Sequence, residues 1–366
     1  MEVTIQETTT IFSSNPPFTK DHILPLSYLD IDRNLDVTFR YFRVYSNKKL
    51  DLNQNQSGPF TLITAALATA LVPYYPFTGR LQRCYAEGGR VELHCTQGGG
   101  VPVVKATVNC TLGSVNYLDD SDESFSEQLM PNPNRDEAMD HPMVLQITMF
   151  SCGGYVVGSA VHNMLCDGLG ASEFFNGLAE LIRGAAQLRA EPVWNRVGLL
   201  GPREPPRVDF PFGEVLTLDK DFYPYMQSIG PVGKVCVDMD DAVLDRLKAY
   251  LFEKSGSRFT TFEALGGFIW QSKVKASKLG NQERVSGFTD WRHIGHSTVD
   301  FGSGGPVSVF PLSKNFLGSM EPTYFLPNLN VGVEKKNGFK VIVYLREYAI
   351  QGFKQEMDKL FGEEFA

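Results

Sequence analysis

Five prolines fall within the twenty-three residues EPVWNRVGLLGPREPPRVDFPFG, 191 to 213, and no regular element can run through them. Each proline lacks the amide donor that a helix interior or a sheet ladder needs. The stretch therefore cuts the chain into two blocks. We expect a domain over 1–190, a crossover linker over 191–213 and a second domain over 214–366. Each block mixes strand and helix periodicities. In the first, VTFRYFRV (37–44) and VLQITMF (144–150) read as strands, and GASEFFNGLAELIRGAAQL (170–188) repeats Phe174, Leu178, Leu181 and Ile182 at helical spacing. FTLITAALATALVPYYPF (60–77) reads as a buried helix with Leu62, Ala65 and Ala66 on one face. Its threonines, and Pro73 and Pro76, argue against a membrane span. In the second block, KVCVDMD (234–240) and KVIVYL (340–345) read as strands. DAVLDRLKAYLFEKSG (241–256) reads as a helix with Leu244, Leu247 and Leu251 inward and Gly256 as its stop. Thr260 and Glu263 have capping-box spacing and open a helix whose expected core residues are Phe262, Leu265, Ile269 and Trp270. REYAIQGFKQEMDKLFGE closes the chain as an amphipathic helix. Strands and helices intermixed in this way predict an α/β or α+β fold, and a seam between two such domains is a common place for a ligand.

The chain has 366 residues, of which 43% are hydrophobic, enough for a substantial core. A net charge of -8, with no long basic run, argues against nucleic acid and anionic membranes as partners. MEVTIQETTT offers neither a basic nor an apolar leader region, which leaves the cytoplasm as the expected location. Six cysteines show no metal-ligand rhythm and read as free thiols in a reducing compartment.

Chemistry concentrates in SAVHNMLCDG, 159 to 168, where an apolar strand delivers four polar side chains ahead of a glycine-flanked helix. If the chain stays extended, His162 and Asn163 point to opposite faces, so only one can look into a given channel. His162 is a candidate general base, with a histidine satisfied behind the strand as the alternative. Asn163 can only donate and accept hydrogen bonds. Asp167 has the setting of a structural carboxylate tied to a distant arginine. Cys166 could pair with His162 as a thiol nucleophile, although among Met164, Leu165 and Leu169 it reads first as packing. Further on, DFGSGG combines Asp300 with Gly302, Gly304 and Gly305 and reads as a tight turn rather than a phosphate loop, because Pro306 and VSVF follow it and no helix does. His293 and His296 bring no third ligand, so no metal site is expected.

The two stretches together resemble the plant BAHD acyltransferases, which carry an HxxxD motif and, late in the chain, a DFGWG motif. Here they correspond to Asn163-Met-Leu-Cys-Asp167-Gly168 and Asp300-Phe301-Gly302-Ser303-Gly304. VPYYPFTGRL (72–81), HNMLCDGLGASEFF (162–175), FEALGGFIWQ (262–271) and FGSGGPVSVFPL extend the likeness over nearly the whole chain. The resemblance implies two chloramphenicol-acetyltransferase-like domains with an interdomain channel, the first carrying the HxxxD-like motif and the second the DFGWG-like one. It implies transfer of an acyl group from acyl-coenzyme A, a co-substrate and not a tightly held cofactor, to a small-molecule acceptor's hydroxyl or amine. The motif's histidine acts as base without a covalent acyl-enzyme, and its aspartate shapes the site. Asp300, Gly302 and Gly304 would support the coenzyme A site indirectly. Both motifs lie in one chain, so a monomer is expected.

Three departures from the family pattern stand out. Asn163 occupies the position of the catalytic histidine, while His162 sits one residue early. Ser303 replaces the motif's tryptophan and is expected to leave a void or a wetted turn, at about 3–5 kcal/mol if the ring would have been buried. Between Arg284 and Phe288 the chain lacks an expected segment whose arginine would pair with Asp167, which makes Arg292 a substitute candidate. An inactivated acyltransferase, a register shift that lets His162 serve, a non-catalytic binding protein on the same scaffold and a Cys166 hydrolase are the functional alternatives.

Overall fold

A computed structural model describes residues 1–32, 35–46, 58–84, 90–119, 122–200, 205, 230–277, 286–313, 321–328 and 338–362. These form two compact units, one holding Met1–Pro202 and Ile294–Ser313, the other spanning Arg203–His293, Lys314–Asn328 and Glu334–Ala366. Most of the proposed linker, and the place of the missing segment after Arg284, fall outside the described residues.

The first unit is built on a six-stranded sheet. Along the chain its strands are β1 (Val3–Ile11), β3 (Thr38–Tyr45), β6 (Val101–Val108), β7 (Met143–Phe150), β8 (Tyr155–His162) and β11 (Ser308–Pro311), in the spatial order β1-β6-β7-β8-β3-β11. Only β6 and β7 run parallel. A smaller sheet joins β2 (His22–Leu24), β5 (Arg90–Cys95) and β4 (Arg80–Cys84). Because β8 lies between β7 and β3, every one of its residues is buried, which is why its sequence is a continuous apolar run. Gly158 is required there, since a Cβ would lie 2.4 Å from the Leu129 carbonyl oxygen.

The helices of this unit are α1 (Pro59–Ala70), α2 (Glu123–Glu127), α3 (Arg135–Asp140), α4 (Gly168–Ile182) and α5 (Arg196–Leu200). The buried face of α1 is Ile63, Ala66, Leu67 and Ala70, with Ala65 exposed. The expected face, Leu62, Ala65 and Ala66, was rotated from it by part of a turn; the i, i+3, i+4, i+7 set that starts at Ile63 places more apolar area inward. Strand β11 pairs with β3 in the register Ser308↔Val44, so the turn at 300–304 packs in the first unit although the resemblance assigned it to the second domain.

The second unit carries the sheet β10 (Gly287–Asp290), β12 (Pro322–Pro327), β13 (Phe339–Arg346) and β9 (Val232–Met239), in that spatial order. Its helices are α6 (Asp241–Ser255), α7 (Thr261–Ser277) and α8 (Glu347–Phe361). The capping box is present: Thr260 N–H donates to Glu263 at 2.8 Å and Glu263 N–H to the Thr260 hydroxyl at 3.2 Å. Gly256 ends α6 at φ 69°, a left-handed conformation that glycine tolerates best. Leu244, Leu247, Leu265, Ile269 and Phe353 share one core. Two expected core members do not: Phe262 is 38% and Trp270 51% exposed. The buried stripe of α7 runs through Leu265, Ile269 and Ser272, and Trp270, next to Ile269, is turned about 100° away from it. Phe353→Ala should lower unfolding stability by about 3–5 kcal/mol in a denaturant titration. Trp270→Ala should change it by less than about 0.5 kcal/mol, and equal losses would contradict this placement.

Candidate functional site

Strand β8 ends at His162, and its ring is used up where it stands. Nδ1 accepts from the Met164 N–H at 3.3 Å, and Nε2 lies 3.5 Å from an Asp36 carboxylate oxygen in a setting that leaves the side chain 3% exposed. The other Asp36 oxygen pairs with both Arg83 and Arg135. The His162 contact first, then the two arginines, hold the Asp36 carboxyl far below the usual carboxylate range against the opposing effect of burial.

One residue later the chain turns. The Asn163 N–H donates to the Val37 carbonyl at 2.9 Å, and the Leu165 N–H bonds back to the His162 carbonyl at 2.9 Å. Asn163 thereby reaches the wall of a cavity of about 610 Å³ that Leu165, Cys166 and Asp167 also line. Asp167 closes the turn as the N-cap of α4, accepting from the Gly170 N–H at 2.8 Å. Among the described residues no arginine lies within ion-pair distance of Asp167, and Arg292 is held by Asp290 at 2.8 and 2.5 Å. Burial pushes the Cys166 thiol up to about 12, the Asp167 charge adds to this, and Arg196 opposes it. A thiol so disposed stays protonated at neutral pH and is a poor nucleophile.

Tyr74, Phe77 and a strap over 190–199 also line the cavity. Trp194 fixes the strap: its Nε1–H donates to the Pro73 carbonyl at 2.9 Å, and its ring meets Tyr74 edge-on. Arg196 follows, paired with Asp30 at 3.0 Å. Arg196, Asp36 and Trp194 carry no local signal in the sequence, because their partners lie 31 to 166 residues away.

The late turn lies elsewhere in the first unit, and Asp300, Gly302 and Gly304 do not line the cavity. One Asp300 oxygen accepts from the Gly302 and Gly304 N–H groups at 2.9 and 2.8 Å, and both glycines sit at positive φ. Arg183, just past α4, donates to the Asp300 carbonyl at 2.6 Å. Ser303 is buried, and its hydroxyl bonds the Tyr155 hydroxyl at 3.0 Å, with Tyr155 stacked on Tyr45. The expected void or wetted turn is thus replaced by a tyrosine hydroxyl that meets the serine. Nearby, the fully buried Arg43 donates from Nη2 to His296 Nδ1 at 2.7 Å and lies over the Phe175 ring. Burial first, then the Arg43 charge, hold His296 well below the usual histidine range, so it is a neutral acceptor. Among the described residues no group of three or more His, Cys, Asp or Glu is placed to hold a metal ion. None of the helices described is long and apolar enough to cross a membrane.

The sequence model of the Transferase family matches residues 1–288. The chain belongs to this family, the coenzyme A-dependent BAHD acyltransferases. It is 27% identical to taxadien-5-alpha-ol O-acetyltransferase of Taxus chinensis, over 83% of this chain and 85% of that one. It is 31% identical to spermidine sinapoyl-CoA acyltransferase of Arabidopsis thaliana, over 70% of this chain and 56% of that one. Vinorine synthase shares the fold at a TM-score of 0.72 and 16% identity, with 98% of each chain covered. The Fusarium graminearum protein TRI101, solved with coenzyme A and deoxynivalenol, shares it at 0.70 and 13%, over 94% of this chain and 98% of that one. The mixed sheets described above are therefore the α/β fold of this acyltransferase family.

Two measurements check the site. The Asp36 carboxyl is depressed in the folded protein, so above its ordinary value of 3.8 its stabilising contribution is present in full, and it is lost as pH falls below that value. Urea midpoints between pH 3 and pH 7 should fall with acidification less steeply in Asp36→Asn than in the parent, and parallel curves would exclude the carboxylate's role. With iodoacetamide at pH 7.5, peptide mapping should find the exposed Cys152 alkylated well before Cys166. Preferential loss of the Cys166 thiol would restore the hydrolase alternative.

Proposed function

We propose that this BAHD acyltransferase is built to move an acyl group from an acyl-coenzyme A thioester to a hydroxyl or amine of a plant specialised metabolite, and that Asn163 stands where the general base belongs. The observation that supports this is the division of labour at the end of β8: Asn163 lines the cavity, while both ring nitrogens of His162 face protein groups. With Nδ1 accepting from Met164, the proton of His162 sits on Nε2 toward Asp36, so the ring has no free lone pair to offer an acceptor in the cavity. The register shift that would let His162 serve is therefore not part of the proposal.

With an imidazole at position 163, the base takes the acceptor's O–H or N–H proton as its oxygen or nitrogen attacks the thioester carbonyl. The new C–O or C–N bond forms, the tetrahedral intermediate collapses, the C–S bond breaks, and the proton passes to the departing coenzyme A sulfur. An amide can orient the acceptor but cannot hold that proton. We assign Asp167 to shaping the loop, through its cap on α4. Asp300, Gly302 and Gly304 belong to indirect support of the coenzyme A site, through the rigidity of their turn, and the donor's interdomain channel belongs to the same proposal. The acceptor class follows relatives named for an alcohol and for spermidine. A binding role without turnover is the second reading, favoured by Asn163 itself.

The deciding experiment follows free thiol release from a panel of acyl-coenzyme A thioesters with alcohol and amine acceptors. Asn163→His should raise turnover by about 10² to 10⁴-fold, the worth of a positioned general base. Unchanged rates with coenzyme A still bound would favour the binding protein.

A further inference from the structure

Between β8 and α4 the backbone leaves both regular elements, and the carbonyls of Met164 and Leu165 find no ladder or helix partner. Arg196 supplies one. Its Nη1 donates to the Met164 oxygen at 3.0 Å, and its Nη2 donates to the Leu165 oxygen. The same guanidinium pairs with Asp30 at 3.0 Å and lies over the Trp194 ring at 5.5 Å. Asp30 is itself fixed, accepting from the Ser27 N–H and hydroxyl at 2.8 and 2.7 Å. Side-chain exposures of 13% for Arg196 and 19% for Asp30 place the pair largely out of water.

A planar fork with several fixed donors can hold two successive carbonyls and a carboxylate at once. A lysine ammonium, a point charge on a flexible stem, cannot reproduce that geometry. The two carbonyls held belong to the residues immediately after Asn163, and the loop that they form carries Asn163 onto the cavity wall. The clamp also originates in the strap that Trp194 ties to Pro73, so the start of the proline-rich stretch is attached to the reaction centre.

We propose that Arg196, oriented by Asp30, is a positioning residue for acyl transfer: it sets the placement of the side chain at position 163 by holding the Met164–Leu165 backbone. This rests on the reading that position 163 is the base position. A displacement of about 1 Å at a reacting group can cost on the order of 10²-fold in rate.

The test is made on the full chain in the Asn163→His background. Arg196→Ala should lower kcat by roughly 10 to 100-fold while changing the KM for acyl-coenzyme A less than about threefold. Arg196→Lys should recover only part of the loss, and added guanidinium at millimolar concentration should restore turnover to Arg196→Ala alone. Asp30→Asn should move kcat in the same direction by less. An unchanged kcat in Arg196→Ala, or full activity in Arg196→Lys, overturns the proposal. Amide exchange provides a readout independent of turnover. Arg196→Ala should speed exchange in the peptide covering 163–167 at least tenfold and leave β7 and the middle of α4 unchanged. Should Asn163→His fail to turn over while this local effect appears, the functional reading fails and the clamp stands. Exchange that rises everywhere, or nowhere, shows that Arg196 does not position the loop.

Discussion

The buried contact between His162 and Asp36 decides what the residues after it can do. Asp36 already carries two arginines, and the imidazole that approaches it is held where β8 ends and the chain turns. Asn163 faces the cavity as a result. Four residues on, Asp167 caps α4 and fixes the far end of the same turn. The loop is therefore pinned by an ion cluster at one end and a helix cap at the other, with the Arg196 fork across its middle. Loss of any one of the three frees a segment that has no ladder of its own.

The late turn follows a comparable logic. Asp300 accepts from two glycine amides at positive φ, and this leaves Ser303 pointing into the unit, where Tyr155 meets it. Tyr155 is the first residue of β8, so the turn and the loop are attached to opposite ends of one buried strand. The hydroxyl pair of Ser303 and Tyr155 keeps both polar groups bonded, which is what burial demands of them.

Much of this was legible in the residues. The apolar strand that leads into the polar cluster, the capping box at Thr260 and the stop at Gly256 rest on local rules and stand in the structure, and the helix expected over 170–188 is present but runs from Gly168 to Ile182. The contrast expected between His162 and Asn163 presumed an extended chain, whereas β8 ends at His162 and a turn places Asn163 on the cavity wall. Trp270 and Phe262 failed as core residues because a helix whose apolar positions exceed one stripe does not reveal which are spare. Arg196, Asp36 and Asp30 were invisible for another reason: charged residues at ordinary surface frequencies acquire meaning only when the fold brings their partners to them. The placement of 300–304 in the first unit likewise depends on the pairing of β11 with β3, a contact across more than 250 residues of chain.

Position 163 opens to the cavity and His162 is sealed behind it. Diethyl pyrocarbonate labelling followed by peptide mapping tests this most directly, on the parent chain and on Asn163→His. The introduced imidazole should be modified rapidly and protected by coenzyme A, while His162 stays unmodified in both proteins until they unfold. Rapid modification of His162 in the native parent, suppressed by coenzyme A, would contradict it and return the role of base to His162.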